Sequence, residues 1–105
     1  MRILVVCGAG ASSTFVAQRL RTAAAAAGLD WDADAGVEST VPVGGHDLVL
    51  VGPHLRERLG AIRDLTRAPV AILPDDVFAD RDGGRTLLLA QSTLAAAGGA
   101  PKGTP

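Results

Sequence analysis

The sequence holds one cysteine, no tyrosine, one tryptophan and two phenylalanines among 105 residues. A single cysteine excludes an internal disulfide, and a small domain that manages without one suits a reducing compartment. With aromatics at 3%, the core must be assembled from Val, Leu, Ile and Ala, which a hydrophobic fraction of 48% allows. Neither sign of charge prevails. Ten Lys and Arg stand against eleven Asp and Glu, a net charge of −1, so there is no electrostatic case for nucleic acid or an anionic membrane surface. Long hydrophobic runs are missing too. Ile3–Cys7 is too short for the core of a secretory signal, and no stretch approaches the ~20 apolar residues that span a bilayer. The length fits one domain. The expectation is a single soluble cytoplasmic domain over residues 1–97, with no membrane insertion and a disordered Gly/Pro-rich tail over 98–105.

What is present has a clear order. Ile3–Cys7 is a continuous apolar run without polar alternation, the pattern of a strand covered on both faces. Gly8 to Thr14 are all small. From Ser13 to Ala27, Val16, Leu20, Ala23 and Ala24 recur at helical spacing, and Gly28 is a C-terminal stop. Leu29–Gly36 alternates Leu29, Trp31, Ala33 and Ala35 with Asp30, Asp32 and Asp34, which predicts a half-exposed edge strand. Val37–Asp47 reads as a loop with room for one helical turn. Leu48–Val51 is a second buried strand, stopped by Gly52-Pro53. Leu55, Leu59, Ile62 and Leu65 mark a helix with Pro53 at its first turn. Val70–Leu73 reads as a third buried strand, followed by a polar loop over Asp75–Gly84. Arg85–Ala97 is the last helix, with Leu87, Leu88, Leu94 and Ala95 expected inward. Alternating strands and helices of this kind predict a small doubly wound α/β sandwich with a four-stranded, mainly parallel sheet.

Such sheets bind ligands beyond the carboxyl ends of their strands, which is where the first strand delivers Cys7. The segment Gly8-Ala9-Gly10-Ala11-Ser12-Ser13-Thr14 has no bulky side chain to cover its N–H groups, and its hydroxyls suit a helix N-cap. A helix start with open N–H groups is an anion site. It also lowers a nearby thiol from its reference value of about 8.5 toward the thiolate. Cys7 is therefore the candidate nucleophile, and Gly8 to Thr14 form the candidate phosphate-binding loop. The loop matches neither the Walker pattern nor G-x-G-x-x-G. No Cys, His and acidic cluster has metal-ligand spacing, and no cofactor is expected. His54, beside Pro53, and Asp75 and Asp76, after the last strand, are possible accessory groups.

Val5-Val6-Cys7-Gly8-Ala9-Gly10-Ala11-Ser12-Ser13-Thr14 resembles the phosphocysteine loop of the enzyme IIB component of the lactose/cellobiose-type sugar phosphotransferase system. That family carries Cys-x-x-Gly-x-Ser-(Ser/Thr) directly after its first strand. The resemblance extends through Asp47-Leu48-Val49-Leu50-Val51-Gly52-Pro53 and Ala68-Pro69-Val70-Ala71-Ile72-Leu73, covering roughly residues 2 to 97. The chain departs from the pattern at His54, where Gln is more usual, and at Phe78-Ala79, where Tyr-Gly is frequent. The resemblance implies a phosphotransferase component with a phosphocysteine intermediate. A phosphohistidine IIA protein donates the phosphoryl group to Cys7, and a sugar presented by a membrane IIC permease receives it.

A rival reading shares the geometry. Low-molecular-weight tyrosine phosphatases and arsenate reductases also run strand, Cys loop, helix, with the signature Cys-x5-Arg. Here that Arg position is Ser13. The guanidinium clamps the equatorial oxygens of a transferring phosphoryl group, and an arginine finger in related chemistry is worth about 10³–10⁵ in rate. A IIB-like protein that has lost its partners is a third reading. With Ser13 in place of the clamp, the protein is expected to turn over p-nitrophenyl phosphate negligibly. Brisk steady-state turnover that disappears in Cys7→Ser would move the assignment to the phosphatases.

Overall fold

The computed structural model describes residues 1–6, 10–43, 45–74 and 83–102, with backbone only for 10–13 and 97–102. The strands are β1 (Arg2–Val6), β2 (Asp32–Gly36), β3 (Leu48–Val51) and β4 (Val70–Ile72). The helices are α1 (Gly10–Ala26), α2 (Leu59–Asp64) and α3 (Gly84–Lys102), with 3₁₀ turns at Glu38–Thr40 and Pro53–Arg58. The sheet order is β2-β1-β3-β4 and every pairing is parallel. Among the described residues, no helix is long and apolar enough to cross a membrane.

Strands β1 and β3 are sealed because their side chains alternate between two apolar layers. Ile3, Val5, Leu48 and Leu50 meet α1 and α3 through Val16, Leu20, Ala24, Leu87 and Ala90. Leu4, Val6, Val49 and Val51 meet Ile62 of α2 and Val41 on the other face. Helix α1 ends where glycine was expected to stop it. Gly28 has φ 77°, its N–H donates to Ala25 C=O at 3.0 Å, and Leu29 N–H donates to Ala24 C=O at 2.8 Å. These two bonds form a Schellman cap, which satisfies carbonyls that the helix itself leaves open.

Several expectations are corrected. Helix α1 begins at Gly10 rather than Ser13, so Gly10 to Thr14 belong to its first turns. Small residues serve a loop and a first helical turn equally well, because that turn's N–H groups need no intrahelical partner. The predicted buried strand at Val70–Leu73 is an edge strand over Val70–Ile72, whose three residues are only half-buried, whereas Leu73 beyond it is fully buried. The segment after Gly52 opens as a 3₁₀ turn over Pro53–Arg58, kinked within at Leu55 (φ −103°, ψ 21°), and α2 begins only at Leu59. Leu88 was expected inward but is 65% exposed. The buried stripe of α3 runs through Thr86, Leu87 and Ala90, and Leu88 lies a further 100° around the helix. Ala95 is likewise exposed. Helix α3 extends to Lys102, past its expected end at Ala97. A Gly inside a formed helix costs only about 1 kcal/mol relative to Ala.

Two glycines test the packing differently. Gly28 faces open space, whereas a Cβ on Gly83 (φ 73°) would overlap the Arg19 carbonyl oxygen and the backbone of α1. Gly28→Ala is expected to cost about 1–2 kcal/mol, the left-handed backbone penalty alone. Gly83→Ala adds overpacking and is expected to cost about 2–5 kcal/mol. Urea midpoints of the two variants check the order.

Candidate functional site

The carboxyl end of the sheet is built around the end of β1. The chain leaves β1 at Val6 and enters α1 at Gly10, and Cys7, Gly8 and Ala9 lie outside the described residues. The position of the exit is nevertheless set by its neighbours. Gly52 N–H donates to Val6 C=O at 2.7 Å, so the backbone leaving β3 is tied to the last residue of β1. On the other side, Val6 is in register with Gly36 of β2. The sequence segment that carries Cys7 thus follows a fully buried residue of an interior strand.

Of the predicted loop, Gly10, Ala11, Ser12 and Ser13 are backbone of α1's first turn. The first four N–H groups of any helix have no intrahelical acceptor, and they carry the positive end of the macrodipole. Thr14 and Phe15 are exposed in the second turn. Phe15 is 57% exposed, because it lies opposite the buried Val16, Ala17 and Leu20 stripe.

His54 is exposed in the 3₁₀ turn that follows β3, at the same end of the sheet as Val6. Asp75 and Asp76 lie outside the described residues, and the chain reaches them from Leu73-Pro74 after β4. His46, in contrast, precedes β3 at the amino-terminal edge of the sheet. Its Nδ1 is buried without a hydrogen-bond partner among the described residues. Among those residues, no group of three His, Cys, Asp or Glu side chains is placed to hold a metal ion.

One feature at this end had no sequence signal. Arg58 donates from Nε to Glu38 Oε1 at 2.9 Å and from Nη2 to Oε2 at 2.6 Å. The bidentate pair ties the 3₁₀ turn after β2 to the 3₁₀ turn after β3, on the face of β1 that carries Leu4 and Val6. The partners stand 20 positions apart in the chain, so no local periodicity links them. The hydrogen bonds from Arg58 hold the Glu38 carboxyl below the ordinary glutamate value, and Glu38 in turn raises Arg58.

The architecture is that of a IIB domain. A solved structure of the lactose-specific IIB component domain of the phosphoenolpyruvate:carbohydrate phosphotransferase system from Streptococcus pneumoniae superposes with a TM-score of 0.74. The match covers 89% of this chain and 96% of that one, at 16% identity; a likeness at that identity speaks for the fold. The sequence carries the assignment further. Residues 2–88 match the family model for the lactose/cellobiose-specific IIB subunit of the sugar phosphotransferase system, and the chain belongs to that family. No curated protein matches it in sequence. Membership makes the chain a component of a sugar phosphotransferase system, whose IIB subunits work between IIA and IIC partners.

The Glu38–Arg58 pair has a pH signature. Because the folded carboxyl titrates below its unfolded value of about 4.3, its stabilising contribution is full above that value. It is lost as pH falls through the lower folded value. Both side chains are solvent-accessible, at 29% and 56%, so the effect is small and salt-sensitive. Glu38→Gln is expected to lower the urea midpoint slightly at pH 7, and the difference from the parent should close as pH drops below 4. A difference that persists unchanged at pH 3 would assign the loss to packing rather than charge.

Proposed function

We propose that Cys7 is the phosphoryl carrier of this IIB protein, accepting the group from a phosphohistidine on a IIA protein and passing it to a sugar held by a membrane IIC permease. The observation that carries the reading is family membership over a span that includes Cys7, which stands in the sequence between the interior strand β1 and the start of α1. The thiolate attacks phosphorus in line, the S–P bond forms as the P–N bond breaks, and the electron pair returns to the donor imidazole nitrogen. In the second transfer a sugar hydroxyl oxygen attacks, the O–P bond forms as the S–P bond breaks, and the thiolate is regenerated. The hydroxyl proton leaves to a base.

The N–H groups of Gly8 to Ser13, with the hydroxyls of Ser12, Ser13 and Thr14, serve as donors to the three equatorial oxygens. Ala9 and Ala11 keep the rim low enough for a partner histidine to reach in-line distance. His54, Asp75 and Asp76 are the accessory groups of this reading, since each follows a strand at the end from which Cys7 leaves β1. The exchange takes place in the cytoplasm, where inorganic phosphate competes for the same cradle. Ser13 in place of a clamping Arg favours the carrier over the phosphatase, because a relay's phosphocysteine must outlast exposure to water.

With a phosphorylated cognate IIA protein, the chain is expected to gain the mass of one phosphoryl group, mapped to Cys7 by peptide sequencing. Cys7→Ser should abolish the gain with the fold intact, and Gly10→Val should suppress transfer more than stability. A phosphoryl group found on His46 or His54, or none with the cognate donor, would sink the mechanism.

A further inference from the structure

The open side of β4 carries an inference independent of Cys7. Val49 N–H donates to Pro69 C=O at 3.0 Å and Leu73 N–H to Val51 C=O at 2.7 Å. These bonds set the phase of the strand: Pro69, Ala71 and Leu73 turn their main-chain groups toward β3. Val70 and Ile72 therefore turn theirs outward, where no described residue meets them. A cavity of about 650 Å³ lies along this edge. Its floor is Val70–Ile72, with Arg63 of α2 on one side and Leu89, Thr93 and Ala96 of α3 on the other.

The two edges of the sheet are treated differently. Strand β2 exposes Asp32 and Asp34, and charge on an edge discourages a further strand. Strand β4 carries no charge, and Pro69 and Pro74 confine its open part to three residues. Among the described residues that line the cavity only Arg63 is charged; it is exposed and has no ion-pair partner among them. A second copy of the chain fits poorly. Antiparallel pairing centred on Ala71 would bring the two Arg63 side chains onto the same face near the two-fold axis.

We propose that the β4 edge is a docking site for an extended acidic segment of a partner protein, added to the sheet as a fifth strand. Main-chain bonds to Val70 and Ile72 supply the register. An acidic residue on the α2 side pairs with Arg63, and small apolar residues on the α3 side fill the space beside Leu89 and Ala96. Strand β3 separates β4 from β1, two strand spacings or about 10 Å, so the edge stays available while the β1 end exchanges its group.

The test uses the ¹⁵N-labelled full chain and the blocked peptide acetyl-Thr-Val-Glu-Val-Glu-Val-Thr-amide. Binding should shift the amide signals of Val70, Ile72 and Arg63 and slow exchange of the Val70 and Ile72 N–H groups. Replacing both Glu of the peptide by Lys, or Arg63→Glu in the protein, should weaken binding by about fivefold. Ile72→Pro removes an outward N–H while sparing the bonds to β3, and should abolish binding. A peptide N-methylated at its central residues makes the same point without altering the protein. No shift at β4 with millimolar peptide, equal binding of the Glu and Lys peptides, or concentration-dependent self-association through β4 would each overturn the proposal.

Discussion

Burial of β1 on both faces and along both edges is the constraint from which the carboxyl end of the sheet follows. Ile3, Leu4, Val5 and Val6 are at most 1% exposed, and each fully buried side chain of this kind contributes about 1.5–3 kcal/mol. The same four residues pair with β2 on one side and β3 on the other. A strand fixed this way cannot shift its register by one residue without moving Leu4 and Val6 into the layer built for Ile3 and Val5. The point at which the chain leaves the sheet is thus set by packing. The Gly52 N–H to Val6 C=O bond refines that position, and the exposed Glu38–Arg58 pair contributes least to it.

The interior of the fold was legible because burial on both faces leaves a mark in the chain. Ile3–Val6 and Leu48–Val51 are uninterrupted apolar runs, and Gly28 with its left-handed φ is a local signal. The acidic residues of β2 announced an edge. Strand β4 was misread for the same reason that β1 was read correctly. Val70-Ala71-Ile72 is as apolar as an interior strand, and what makes it an edge is that no fifth strand pairs with it among the described residues, which local sequence does not encode. Leu88 was misread because consecutive leucines in a helix diverge by 100°, and only the position of the stripe through Thr86 and Ala90 decides which one is inside.

The candidate site rests on composition. A cysteine after an apolar run, followed by residues without bulk or charge, is the pattern expected of a nucleophile beside an anion cradle, and the family match spans that segment, while Cys7, Gly8 and Ala9 lie outside the described residues. The start of α1 at Gly10 was hidden because Gly, Ala and Ser are shared by loops and helix beginnings. The tie between Glu38 and Arg58 depends on two crossovers bringing separate turns to one end of the sheet, which no spacing rule anticipates.

The all-parallel order has a consequence for how the chain reaches its native state. Among the described residues the sheet contains no hairpin: Arg2 pairs with Asp32 and Ile3 with Leu48, so the first strand finds its neighbours only after some 30 and 45 further residues have been synthesised and looped. Closing loops of that length costs entropy before any pairing compensates it, and assembly from distant pairings is slow relative to helical bundles of equal size. On the ribosome, β1 emerges first and stays unpaired until β2 has cleared the exit tunnel. During that interval Ile3 to Val6 is an exposed apolar strand, the segment of this small chain most in need of protection from aggregation.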